Sequence, residues 1–255
     1  LDPVKKEYRS LIRAVPGLRI FTVGDETCAP LRFNILRVPE GVKGQKHIDT
    51  VYDSMCASIV MYAPAPYILN MALNETFQKN GWDSVRGRRG RDVSLGEVNS
   101  RVKEVVRREG YQGEARSTII AALSTRFESL QQGGKGAALC SSVSMSPKEL
   151  ISCPTVVEFG EIGASEDKAI VILTMLQSIY EYLQTLGPTS KVRCAIVVEE
   201  AGSLFSNVEG KGGVEFDSKE ARRKTVEVIS RITAEIRALG AIMIFVNQSA
   251  VSLPL

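Results

Sequence analysis

Two stretches of this sequence put polar groups where an apolar, strand-like run ends. The first is Val192-Arg193-Cys194-Ala195-Ile196-Val197-Val198-Glu199-Glu200, which delivers two consecutive carboxylates. In open α/β sheets, ligands bind at the C-terminal edge of the strands. Nucleotide hydrolysis uses such a pair: one acid holds Mg2+ directly or through water, and a second orients or deprotonates the attacking water. Consecutive carboxylates leaving a strand point different ways, so the pair can serve both roles. It can equally begin a solvated loop. The second stretch is Ala241 to Val246, followed by Asn247-Gln248-Ser249. Gln248 is placed to sense a γ-phosphate or position water, or else to cap a strand exit. Together the two exits suggest one crevice.

Three other clusters carry charge or polarity. Thr155-Val156-Val157-Glu158-Phe159 embeds Glu158 in an apolar run, with Glu161 just beyond. A buried carboxylate is costly unless paired, so Glu158 either meets an arginine or faces the sheet edge. Arg86, Arg88, Arg89 and Arg91 fall within six residues, interspersed with Gly87 and Gly90. That loop is the best local candidate for gripping phosphates, of DNA or another polyanion, against the plain reading of a solvated loop. Arg222, Arg223, Arg231 and Arg237 lie along the last long helix, where an arginine can reach a neighbouring subunit's phosphates. His47 has no evident ligand partners, and Ser203, Ser249 and His47 form no hydrolase signature. No G-x-x-x-x-G-K-[ST] occurs. Gly133-Gly134-Lys135-Gly136 lacks that spacing and reads as a loop. Without a phosphate-cradling loop, strong ATP binding by these residues alone is not expected.

The elements that must position these groups are legible from periodicity. The 255 residues are 44% apolar and 24% charged with a formal net charge of +3, which supports a folded core and argues against wholesale disorder. No apolar run approaches a membrane span. Five cysteines without a CxxC pair and a single histidine argue against a zinc module, and Cys194 reads as a reduced core residue of a cytoplasmic protein. Leu11–Val15 suggests a helix end, Leu18–Val23 a strand, and 30–41 irregular chain. Helices are predicted over 47–60, 67–79, 95–109 and 115–130, with Ser94 and Glu97 as a capping box. The last hundred residues then read strand (155–159), helix (167–186), strand (192–198), helix (219–239), strand (241–246). That alternation predicts a parallel sheet with covering helices. The expected division is 1–30 as the start of an α/β core, 31–150 as a largely helical insertion, and 151–255 as the rest of the core.

At this point the sequence resembles the ATPase domain of HerA-type DNA helicases and translocases, in the wider group that holds the FtsK and VirB4-like motor ATPases. The resemblance runs over nearly the whole chain. Leu1-Asp2-Pro3-Val4-Lys5-Lys6-Glu7-Tyr8-Arg9 looks like the segment after the family's second core strand. Pro30-Leu31-Arg32-Phe33-Asn34, Tyr62 to Leu69 with Gly81-Trp82, and Glu158 to Gly163 with Asp167-Lys168-Ala169 match further shared stretches. Ile196-Val197-Val198-Glu199-Glu200-Ala201 looks like the Walker B segment. Glu199 then stands at the metal-associated position and Glu200 at the catalytic base, although Gly202 replaces the histidine often found after the alanine. Ala234-Glu235-Ile236-Arg237 and Gln248-Ser249 resemble the following helix and sensor strand, with Gln248 as the sensor.

The resemblance implies a RecA-like P-loop NTPase core, ATP and Mg2+ as cofactors, and a homo-hexameric ring. It also implies double-stranded DNA as partner, often with a nuclease. Arg222 and Arg237 become arginine-finger candidates, and Arg86, Arg88, Arg89 and Arg91 DNA contacts. Both sequence ends read like cuts inside a fold, so the expectation is part of a longer motor whose parent carries the phosphate-binding lysine. A sheet without its P-loop strand would expose apolar edges. Two alternatives stand beside the translocase. One is a non-catalytic assembly or nucleic-acid-binding module. The other is a conjugation or secretion ATPase, for which a membrane-complex partner would be the sign.

Overall fold

The computed structural model describes residues 1–2, 6–202 and 215–247, with the backbone alone for 215–222. Four short strands carry the site: β1 (Arg19–Thr22), β2 (Thr155–Glu158), β3 (Cys194–Val198) and β4 (Ala241–Phe245). β1 pairs with β2 and β3 with β4, both in parallel. Leu1 and Asp2 join the two pairs. Asp2 exchanges backbone hydrogen bonds with Val157 and Phe159, and Leu1 with Val197 and Glu199. The spatial order is therefore β1, β2, residues 1–2, β3, β4, with all four exits on one edge.

Eight helices surround this edge among the described residues: α1 (Gly44–Ser58), α2 (Ala65–Lys79), α3 (Leu95–Arg108), α4 (Gly113–Leu130), α5 (Gly133–Leu139), α6 (Pro147–Ile151), α7 (Ser165–Thr185) and α8 (Glu215–Ile236). α3 shows why its sequence is helical. Ser94 accepts from Glu97 N–H while the Glu97 carboxylate accepts from Ser94 N–H, the predicted capping box. Leu95, Val98, Val102, Val105 and Val106 then bury one face at helical spacing, each such side chain contributing about 2 kcal/mol. α7 is buried on nearly every side, from Asp167 to Leu183. It packs against α1, and α1 against α8.

That central packing has a polar seam. His47, Thr50, Ser54 and Ser58 of α1 are buried, as are Thr174, Gln177, Ser178 and Glu181 of α7. His47 Nδ1 lies 2.8 Å from Glu181 Oε2, so the histidine without an evident partner in the sequence has one. Gln177 donates to Ser54 Oγ at 2.7 Å.

Several expectations are corrected. The segment Gly133–Gly136 is the start of α5, not a loop. Gly134 packs so closely that a Cβ there would lie 2.0 Å from the Gly24 carbonyl oxygen. The short helix expected to end within Leu11–Val15 does end there, as a 3-10 helix over Glu7–Arg13. Cys194 is half-buried at the lip of a cavity rather than in the core. Helices cover only one face of β3 and β4 among the described residues: Ile196 and Val198 are buried, whereas Val197, Ile242 and Ile244 are exposed. Gly240 does close the last helical segment, with a left-handed φ of +79° and no room for a side chain against Lys191 O. No described helix is long and apolar enough to cross a membrane.

Candidate functional site

The four strand exits bring acidic and basic side chains together at one edge. Glu158 ends β2 and is fully buried. The Arg9 guanidinium grips it twice, Nε to Oε1 at 3.0 Å and Nη2 to Oε2 at 2.6 Å, and Arg9 also donates to Thr22 Oγ1 at 3.1 Å. The Thr22 hydroxyl donates to the same carboxylate at 2.8 Å. Burial alone would raise the Glu158 pKa, but the hydrogen bonds from Arg9 and Thr22 and the charges of Arg9 and Lys6 outweigh it. The carboxyl is held below its ordinary value. The arginine required by a buried carboxylate is thus Arg9, and Glu158 serves structure. Lys6 pairs with Glu161 just outside this cluster.

Glu199 and Glu200 follow β3 directly, half-buried. The Tyr8 hydroxyl hydrogen-bonds the Glu199 carboxylate. Glu200 has φ +45°, in the left-handed region that costs a non-glycine residue roughly 1–3 kcal/mol. β3 and β4 exit side by side: Val198 is in register with Phe245, Ala201 N–H donates to Val246 O at 3.1 Å, and Gly202 N–H donates to Asn247 Oδ1 at 3.3 Å. The two polar exits therefore lie side by side as far as Asn247. Gln248, Ser249 and Ser203 lie outside the described residues. So do Pro3, Val4 and Lys5 and the side chain of Arg222.

Among the described residues, no group of three or more His, Cys, Asp or Glu gathers to hold a metal. The Lys135 ammonium is engaged, pairing with the buried Asp167 carboxylate and donating to Ser129 Oγ at 3.0 Å. Sequence reasoning named Tyr8, Arg9, Lys135 and Asp167 within longer stretches but gave none of them its partner. For Arg9 a signal existed, since the embedded Glu158 demanded a cation; the others are long-range meetings with no local mark.

The arginine loop is a built hairpin. Asp83 and Arg88 exchange two backbone hydrogen bonds at 3.0 Å, and the Asp83 carboxylate accepts from Val85 and Arg86 N–H. Arg89 donates to Val38 O at 2.8 Å and Pro39 O at 3.0 Å, and stacks over Trp82 at 5.1 Å. Arg91 pairs with Glu97 at 2.8 Å. All four arginines are exposed; Arg89 and Arg91 hold the loop, Arg86 at the tip lies 3.7 Å from the Asp83 carboxylate, and Arg88 closes the hairpin opposite Asp83. Arg237 lies in a 3-10 turn after α8, also exposed.

No protein-family description matches this chain, and no curated protein matches it. Its fold is similar to that in the solved structure of VirB4 of Thermoanaerobacter pseudethanolicus, with a TM-score of 0.64 at 17% identity. The match takes in 98% of this chain and 62% of that one, so this chain spans less than two thirds of its structural neighbour. The chain thus has a VirB4-like mixed α/β fold, with short parallel strands and many helices. This match does not show the narrower HerA assignment.

Proposed function

We propose that this chain is part of an ATP-driven motor of the conjugation or secretion type. The carrying observation is the pair Glu199 and Glu200 at the common exit of the parallel strands β3 and β4, in a fold similar to VirB4. This reading displaces the HerA-type helicase as the leading one, because the structural neighbour is VirB4.

The residues fit one side of a magnesium–nucleotide site. Mg2+ keeps most of its water shell and takes few protein carboxylates, so a single strand-end pair suffices without a larger acidic cluster. In this reading Glu199 holds the metal's water shell and Glu200 orients the attacking water. No Walker A pattern occurs in the sequence. Among the described residues, the glycine-rich stretch 133–136 is packed against Gly24 and Gln131, with Lys135 bound to Asp167. In this reading ATP and Mg2+ belong to the whole motor.

A second reading is the duplex-DNA translocase, with a hexameric ring and a nuclease partner. The exposed arginines Arg86 and Arg88 favour it. Mg2+-dependent ATP turnover by the full-length natural protein, with and without duplex DNA, tests the two. Turnover indifferent to DNA supports the secretion-type motor. Turnover raised by duplex DNA moves the protein to the second reading, and no turnover under either condition overturns both.

A further inference from the structure

The start of α1, the end of α2 and the arginine hairpin enclose an open cleft of about 340 Å³, away from the strand exits. Its walls are fixed by close packing. Trp82 lies against Gly44, where a Cβ would come within 2.8 Å of the indole carbon Cε3. The same ring system tilts onto Phe77 at 5.9 Å, takes the Arg89 guanidinium over it at 5.1 Å, and donates from Nε1 to Arg91 O at 2.8 Å. Gly90 seats the hairpin on the end of α2, since a Cβ there would lie 2.3 Å from Asn80 O. The cleft is thus formed in advance of any ligand, as binding pockets commonly are.

Its lining divides into apolar and hydrogen-bonding groups. Ile48, Phe77 and Trp82 form the floor, and Val85 stands at the rim, 95% exposed. Gln45 is engaged, donating to Asp49 at 3.0 Å and to Asn74 at 3.1 Å. Asp83 is engaged too, accepting from Val85 and Arg86 N–H with the Arg86 guanidinium 3.7 Å away. Gln78, Ser84 and Arg88 also line the cleft, and among the described residues their side chains make no hydrogen bond or ion pair. These three carry more donors than acceptors: a guanidinium has five N–H groups and no acceptor, an amide two N–H groups, a hydroxyl one O–H. Lys43 precedes α1 and Lys79 lies in the last turn of α2, so the two helix ends add positive charge beside the cleft. A carboxylate suits such a donor set, and the arginine fork can hold it bidentately. The duplex DNA backbone would also meet exposed arginines, but it brings no apolar group to cover Val85 and the floor.

We propose that this cleft binds an acidic segment of a partner protein. A carboxylate of that segment pairs with Arg88 and takes hydrogen bonds from Gln78 and Ser84, and a neighbouring apolar side chain covers Val85 and the floor. The site is independent of the nucleotide chemistry proposed above.

Fluorescence anisotropy with the full-length natural protein tests it, using three fluorescein-labelled peptide amides as probes: Gly-Gly-Glu-Leu-Asp-Phe-Glu, its uncharged counterpart Gly-Gly-Gln-Leu-Asn-Phe-Gln, and its apolar-free counterpart Gly-Gly-Glu-Ser-Asp-Ser-Glu. The first is expected to bind, and each counterpart to bind about tenfold more weakly or worse. Arg88→Ala is expected to weaken the first probe by about tenfold or more. Gln78→Glu, which sets a carboxylate against the ligand's own, is expected to weaken it as much. Arg86→Ala, outside the cleft, is expected to weaken it by less than about threefold. Gln78, Arg86 and Arg88 are exposed, so all three variants are expected to melt with the wild type. Unlabelled duplex DNA is expected to leave the peptide bound. The proposal is overturned if the first probe fails to bind, if either counterpart binds equally well, or if Arg88→Ala binds like the wild type. Equal losses in Arg86→Ala and Arg88→Ala, with displacement by duplex DNA, would overturn it in favour of a polyanion grip by the hairpin.

Discussion

The Tyr8 hydroxyl donates to the Glu199 carboxylate across 191 positions of sequence, tying the 3-10 helix after the first residues to the exit of β3. Its neighbour Arg9 makes the equivalent tie to Glu158 at the exit of β2. One short helix thereby fixes two carboxylates at adjacent points of the sheet edge. Replacing Tyr8 by Phe removes the hydrogen bond while keeping the ring. Urea denaturation is expected to show a loss of about 1 kcal/mol, since the carboxylate is half-buried and retains access to water. Unchanged stability would mean that the tie contributes nothing to holding Glu199.

Arg9→Met leaves a fully buried carboxylate without its cation. Removing one partner from a wholly buried pair costs about 3–5 kcal/mol. Arg9 keeps about a third of its side chain in water, so screening reduces the expected loss to about 2 kcal/mol. The pH dependence has a fixed sign. The folded Glu158 pKa is depressed, so its stabilisation is present above the unfolded value and is lost as pH falls through the folded value. The gap between wild type and Arg9→Met is therefore largest near neutrality and narrows below about pH 4. A gap that widens in acid would contradict the assignment.

Gly134→Ala tests the glycine-rich stretch. A Cβ at 2.0 Å from the Gly24 carbonyl oxygen forces α5 away from the turn after β1. Overpacking of this kind is expected to cost about 3 kcal/mol, with or without nucleotide. A variant as stable as wild type would contradict the close packing of α5 on the turn after β1.

Within the hairpin the arginines divide by role. Arg89→Ala loses two hydrogen bonds to the 38–39 backbone and the stacking on Trp82, a loss of about 2 kcal/mol in thermal or chemical denaturation. Arg86→Ala, at the exposed tip, is expected to change stability by less than about 0.5 kcal/mol. If the tip grips a polyanion, Arg86→Ala also weakens binding and flattens its salt dependence, as a filter-binding titration would register. Equal stability losses in both variants would contradict the division.

The elements legible in the sequence were those with local marks. α3 shows its capping box and its apolar face, and β3 and β4 show as short apolar runs that end in polar residues. α5 and α6 escaped because they are short. In α5 the glycines that read as a loop are instead demanded by close packing on Gly24 and Gln131. In α6 a second capping box, Ser146 with Glu149, carried the signal that could have revealed it. At the site, the adjacency of the two acidic and amide exits followed from parallel strand logic. The partners of the carboxylates did not, because Tyr8–Glu199 and Arg9–Glu158 are made by the tertiary fold between residues far apart in the chain. His47 with Glu181 is hidden for the same reason.

The central claim is that the strand exit at Glu199 and Glu200 is the hydrolytic edge of a nucleotide motor. Steady-state Mg2+-ATP turnover by the full-length natural protein, compared with its Glu200→Gln variant, tests it most directly. Loss of the carboxylate that orients water is expected to lower turnover by about a hundredfold or more, with the melting temperature little changed and nucleotide still bound. A Glu200→Gln protein that hydrolyses ATP at the wild-type rate would contradict the claim.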